Sequence, residues 1–144
     1  AFGALAALAF MYFLKGTTLL YAGQEYRNDH VPSLFDKDVI LRNTDADISP
    51  LLQKLYKIKK EVLSAEDYFR GSADDVHDIA ILDRDDNHTR KLGVFSLKGK
   101  AADVKTEFPD GSYVNQFDGE TVCISGGILR CDGKPVILNT SCTV

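Results

Sequence analysis

The sequence predicts an α+β chain, with a helical first part over residues 1–64 and an antiparallel β-sandwich of Greek-key type over residues 65–144. Three observations support this. Helix formers dominate before residue 64, whereas Gly, Asp, Thr and β-branched residues become prominent after it. From Glu66 onward the apolar period changes from about 3.6 residues to two. Turn signals then recur at close spacing: DRDDN, KGK, PDG, DGE, SGG and CDGKP.

Length and composition bound the possibilities. At 144 residues the chain allows one compact domain, or a small domain with a subdomain attached. It is too short for a complete eight-fold barrel enzyme, which needs about 250 residues. With 44% hydrophobic and 26% charged residues, wholesale disorder is excluded. A net charge of −4 and a pI near 5.3 give no basic footprint, so no nucleic-acid partner is expected. Residues 1–64 hold 8 basic and 7 acidic side chains, against 9 and 14 in residues 65–144.

The chain opens AFGALAALAFMYFLKG. Its uncharged stretch, Ala1 to Leu14, is shorter than the roughly 20 apolar residues that span a bilayer. It also lacks the initiator Met and basic n-region of a signal peptide. No membrane partner is expected, and the segment reads as a helix buried on several sides and ended by Gly16. A start inside a helical pattern suggests an excised piece of a longer chain. Thr17 to Ala22 (TTLLYA) fits a buried parallel strand. About 25 residues of polar loop follow, and ordered loops of that length are usually functional. Ser49 reads as an N-cap and Pro50 as the first helical residue. Leu51, Leu55, Ile58 and Val62 then carry a helical period to about residue 64, with Lys57, Lys59 and Lys60 on a solvated face.

Eight strands are expected beyond it: Tyr68–Arg70, Val76–Leu82, Leu92–Leu97, Ala102–Thr106, Tyr113–Phe117, Val122–Ile124, Ile128–Cys131 and Val136–Leu138. The cysteines, Cys123, Cys131 and Cys142, have no CxxC spacing and are read as three free thiols, with a Cys123–Cys131 bridge as the alternative. Asp83, Asp85 and Asn87 imitate the start of a calcium loop, but His88 and Val94 occupy the positions that need Gly and Glu, so the segment is read as a hairpin turn. Asp74, Asp75, His77 and Asp78 form another acidic cluster. No metal site and no cofactor are expected. GxSxG, P-loop, HExxH and dinucleotide motifs are all lacking, so nothing local supports esterase, kinase, metalloprotease or dehydrogenase chemistry.

The string GTTLLYAGQE, Gly16 to Glu25, resembles the segment around the eighth barrel strand of the α-amylase family of glycoside hydrolases, typically G-x-P-x-x-Y-x-G-x-E. It matches at Gly16, Tyr21, Gly23 and Glu25 and departs at Thr18, where proline is common. VPSLFDKDVI is similar to the loop that follows. FPDGSYVNQFDGETVCISGGILRCDGKPVIL resembles the β-rich C-terminal domain of these enzymes. The resemblance implies the last helix–strand–helix part of a TIM (β/α)8 barrel followed by that domain, with Tyr21 packed inside the barrel.

It further implies a retaining or transglycosylating parent that acts on α-glucans. The nucleophilic Asp, the acid/base Glu and the third Asp of the family all lie N-terminal to the matched region, so no catalytic residue is assigned. Retaining glycosidases need two carboxylates about 5–5.5 Å apart, and the end of a barrel cannot supply that pair. The fragment alone is therefore expected to be inactive. Glu25 falls at the carboxyl end of the expected strand, where barrel enzymes place their sites. Gln24, Glu25, Arg27, Asp29 and His30 are the candidate substrate-binding residues, on the rim of a sugar cleft. The alternative is a non-enzymatic β-sandwich module that binds carbohydrate or a protein partner. The missing Trp weighs against it, as does the placement of Tyr68, Phe69, Phe95, Tyr113 and Phe117 at positions suited to core alternation.

Phe2, Leu5, Leu8, Phe10, Met11, Phe13 and Leu14 add a physical requirement. Leaving them wet forfeits on the order of 10–20 kcal/mol, more than the roughly 5–15 kcal/mol that stabilises a domain. Residues 1–64 must pack against the rest of a barrel, the β-domain or a second copy of the chain.

Overall fold

The computed structural model describes residues 2–141. Two helices, α1 (Phe2–Phe13) and α2 (Ser49–Glu61), precede eight strands. These are β1 (Tyr68–Asp74), β2 (Ile79–Asp85), β3 (Thr89–Ser96), β4 (Ala102–Lys105), β5 (Gly111–Val114), β6 (Thr121–Ser125), β7 (Ile128–Cys131) and β8 (Val136–Ser141). They form two four-stranded sheets, ordered β1-β2-β3-β8 and β4-β7-β6-β5, and every pairing is antiparallel. The chain crosses between sheets after β3 and returns after β7, which makes the unit a sandwich.

Alternation gives the first sheet two apolar faces. Ile79, Leu92, Val94, Val136 and Leu138 turn inward and meet Val104, Phe108, Ile124 and Leu129 from the other sheet's side. Leu82, Phe95 and Ile137 lie on the opposite face and are covered by the helices. The result is three layers: helices, sheet, sheet. Leu8, Phe13, Leu52, Leu55 and Ile58 supply the helical side of this second core. Phe10 and Phe13 meet the Phe95 ring edge-on, with centroids 5.8 and 5.6 Å apart. The approach depends on Gly93, where a Cβ would stand 3.1 Å from the Phe13 ring and 2.6 Å from that of Phe95. The β-rich part thus takes up the apolar face of α1.

Several local expectations need correction. Residues 17–22 form no strand. A parallel strand is held by neighbours on both sides, and no strand among the described residues runs beside this segment. Tyr21 is accordingly exposed rather than packed. Ser49 is not the N-cap. Ile48 flanks the helix without a side-chain cap, and Asp47 Oδ1 instead accepts the Ser49 N–H at 2.8 Å. Val76 lies in a turn before β2, fixed by Asp74 Oδ1 accepting from its N–H. Asn115 to Phe117 leave the β5 ladder because the Asn115 side chain is buried. Its Nδ2 donates to the Pro135 carbonyl, and its Oδ1 accepts from Phe117 and Ile137. Asp83 and Asp85 are in β2, and Asn87 sits in the β2–β3 hairpin with φ +67°. Cys123 is exposed and Cys131 buried, both as free thiols; Cys142 lies outside the described residues. Burial pushes the Cys131 thiol up.

Candidate functional site

The candidate residues begin at Gly23, which holds φ +97°; a Cβ there would press on Ile40 and Asn28 at 3.0 and 3.1 Å. A single 3-10 turn, Gln24–Tyr26, follows. Gln24 Oε1 accepts the Tyr21 N–H at 2.6 Å, and Glu25 Oε2 accepts the Gly23 N–H at 2.9 Å. Both side chains thus hold their own turn. The Glu25 carbonyl accepts the Ile48 N–H at 2.8 Å, fastening the turn to the start of α2. Arg27 closes it with φ +54°.

The turn rims an open cleft of about 480 Å³. Its floor comes from Ala4, Leu8 and Met11 of α1 with Leu52 of α2, and its polar edge from Gln24, Arg27 and Asn28. The structure therefore brings Gln24 and Arg27 together and turns Glu25 into the turn. Asp29 and His30 lie beyond the cleft, both exposed. His30 is held by Asp38, Nε2 to Oδ2 at 2.6 Å, rather than by Asp29. The Ser33 N–H and His30 keep the Asp38 carboxyl below its ordinary range. His77 pairs in the same way with Asp74 at 2.7 Å. Among the described residues no group of three or more His, Cys, Asp or Glu is arranged to hold a metal ion.

A buried ionic cluster that the sequence reading missed lies under the C-terminus of α1. Asp67, Arg84 and Lys91 are 0, 2 and 2% exposed. Asp67 accepts from Arg84 Nε and Lys91 Nζ at 2.9 Å each and from the Ser64 N–H at 3.1 Å. Lys91 also reaches Asp86 at 2.9 Å. Arg84 donates to the Phe13 and Ser64 carbonyls. Lys59, expected on a solvated face, donates to the carbonyls of Tyr12 and Leu14 at 3.0 and 2.6 Å. The last turn of α1 is thus capped by cations from α2 and β2, as its orphan carbonyls require.

Burial opposes ionisation of Asp67, but the Lys91 ammonium, the Ser64 N–H and Arg84 outweigh it and hold the carboxyl below its ordinary range. Lys91 is raised, because its bonds to Asp86 and Asp67 outweigh burial. Burial, then the nearby Arg84 charge, lowers Lys59. A sequence signal for this cluster did exist. Arg84 shares the phase of Ala80 and Leu82, Lys91 that of Gly93 and Phe95, and the two are directly opposed across β2 and β3. Two cations facing each other on an apolar face demand an anion between them.

The fold and cleft define a class: an antiparallel two-sheet sandwich carrying a helical layer whose loops remain open on one side. Residues 71–138 match the family described as the bacterial alpha amylase C-terminal domain, and almost the whole chain is similar in fold to a part of solved α-amylases. An alpha-amylase from Lactobacillus plantarum is similar over 96% of this chain and 33% of its own, with 29% identity and a TM-score of 0.80. The maltogenic alpha-amylase AmyB from Thermotoga neapolitana shares the fold over 98% of this chain and 37% of its own, at 15% identity and a TM-score of 0.77. An Anoxybacillus alpha-amylase does so over 96% and 32%, at 14% identity and a TM-score of 0.74. The chain thus spans about a third of the length of these enzymes. No curated protein sequence matches it.

Proposed function

We propose that this chain is the closing part of an α-glucan-acting glycoside hydrolase, with residues 1–64 completing a catalytic barrel and residues 65–144 forming its C-terminal domain. The parent cleaves or transfers α-glucosidic bonds with retention, through carboxylates outside these residues. The 144-residue chain alone is inactive. One observation carries the reading: the likeness to the Lactobacillus plantarum enzyme runs over 96% of the chain and so includes the helices and the loop, not the sandwich alone.

The surface of residues 17–41 supports it. Leu19, Val31, Leu34, Phe35 and Leu41 are each more than 70% exposed, an apolar set that a surrounding barrel would cover. The proposed role of Gln24 and Arg27 is to border the sugar cleft, with Glu25 shaping the turn and Asp29 and His30 lying beyond its edge. Among the described residues no helix is long and apolar enough to cross a membrane.

The test compares reducing-sugar release from soluble starch by the 144-residue chain and by the polypeptide that carries the preceding barrel. The reading expects none from the first. From the second it expects release in which proton NMR sees the α-anomer first. Hydrolysis by the short chain, or a β-anomeric first product, contradicts it.

A further inference from the structure

The end of α1, the last turns of α2, the link into β1 and one residue of β2 meet around a cavity of about 290 Å³. Its charged lining has one sign. Lys15, Lys59 and Arg84 contribute to it, and no carboxylate does. Leu14 and Leu63 supply apolar wall. Charge of one sign set in low-dielectric walls focuses its field into the space they enclose.

The three cations are not equally satisfied. Arg84 commits its guanidinium to Asp67 and to the Phe13 and Ser64 carbonyls. Lys59 donates to the Tyr12 and Leu14 carbonyls, which leaves one of its three ammonium donors. Those carbonyls carry only the fractional charge of a helix end, about −0.5. The carboxylates of the neighbouring cluster, Asp67 and Asp86, are matched by Arg84 and Lys91. Among the described residues, neither Lys15 nor Lys59 forms an ion pair. The backbone adds donors. Gly16 holds φ +86°, yet the Lys15 and Gly16 N–H groups do not fold back onto α1, whose last carbonyls Lys59 and Arg84 occupy instead. With the Ala65 N–H they meet no acceptor among the described residues.

We propose that this cavity binds a small dianionic oxyanion, inorganic phosphate or sulfate in its simplest form, held by Lys15 and Lys59 and joining the helical layer to the sandwich. A tetrahedral oxyanion offers several acceptor oxygens to donors that arrive from separate chain segments, and it makes strong charge-assisted hydrogen bonds with them. A halide fills only a small part of this space. Two negative charges answer the two unmatched ammonium groups. Burial and then the Arg84 charge hold Lys59 below its ordinary range, and an anion between the two opposes the second cause. The site is separate from the Gln24–Arg27 rim and needs nothing from the α-glucan reading.

The test is an amide NMR titration of the 144-residue chain with sodium phosphate at slightly alkaline pH, against sodium chloride at matched ionic strength. Saturable shifts are expected at Lys15, Gly16, Ser64 and Ala65 with phosphate and not with chloride, and sulfate should compete. Lys15→Ala, at an exposed position, should weaken binding about tenfold, the loss of one charged hydrogen bond. Lys60→Ala, exposed on α2 and outside the cavity, should leave it unchanged. Lys59→Met should weaken it further; since it also uncaps α1, Lys15→Ala decides the matter if that variant does not fold. Phosphate at about 100 times its dissociation constant should raise Tm by roughly 5–10 °C. Equal shifts with chloride, no saturable shifts with phosphate, unchanged binding in Lys15→Ala or an equal loss in Lys60→Ala overturns the proposal.

Discussion

Asp67→Asn is the perturbation with the largest consequence that the structure defines. The substitution keeps the side chain's size and removes its charge. Asp67 is fully buried and faces Arg84 and Lys91, which are directly opposed on neighbouring strands. Lys91 retains Asp86, but the Asp67 charge is the one Arg84 reaches in the cluster. Breaking a buried pair by removing one partner costs about 3–5 kcal/mol, because it strands a charge. For a chain of this size each kcal/mol moves Tm by roughly 2–4 °C, so the variant should melt about 10 °C lower. Thermal and urea unfolding followed by circular dichroism reads this directly. A loss below about 1 kcal/mol would refute the claim that the cluster is a dry, mutually dependent set.

Other expectations follow from the same geometry. The depressed carboxyls of Asp67 and Asp86 contribute stability that is fully present above the ordinary Asp value near 3.9 and lost as pH falls through their folded values. Acid unfolding should therefore steepen below about pH 4, and less so in Asp67→Asn. Lys91 has the opposite sign: its contribution is present below about 10.4 and lost as pH rises through its raised value. Phe95→Ala removes the ring that both Phe10 and Phe13 meet and should cost about 3–5 kcal/mol, with amide exchange of α1 rising first. Gly23→Ala forces a side chain into a left-handed position, at about 1–2 kcal/mol. It should speed exchange at the Tyr26 and Asn28 amides, which donate to the Gly23 carbonyl, and leave the sandwich unchanged.

Legibility in the sequence tracked how local the cause was. The strands were readable because alternation and Gly/Asp turns act within a few residues; β7 and the inward phase of β3 follow from their own side chains. The period of α2 was equally plain, yet its start shifted because Asp47, not Ser49, meets the free N–H. Residues 17–22 carry the composition of an inner parallel strand, but no strand among the described residues runs beside them to supply its hydrogen bonds. Lys59 looked solvated because only the fold brings the Tyr12 and Leu14 carbonyls within its reach. Asp67 lies 17 and 24 residues from its two partners, so no local pattern announces the cluster. The rim itself was legible as a polar stretch. The inward turn of Glu25 was not, because it depends on the conformation of Gly23.

Amide hydrogen exchange over residues 17–41, measured in this chain and in the polypeptide that carries the preceding barrel, tests most directly whether this is a barrel's closing segment. Fast exchange in the short chain and strong protection of Thr17–Ala22 in the longer one are the predicted pair. Equal, rapid exchange in both would contradict the account.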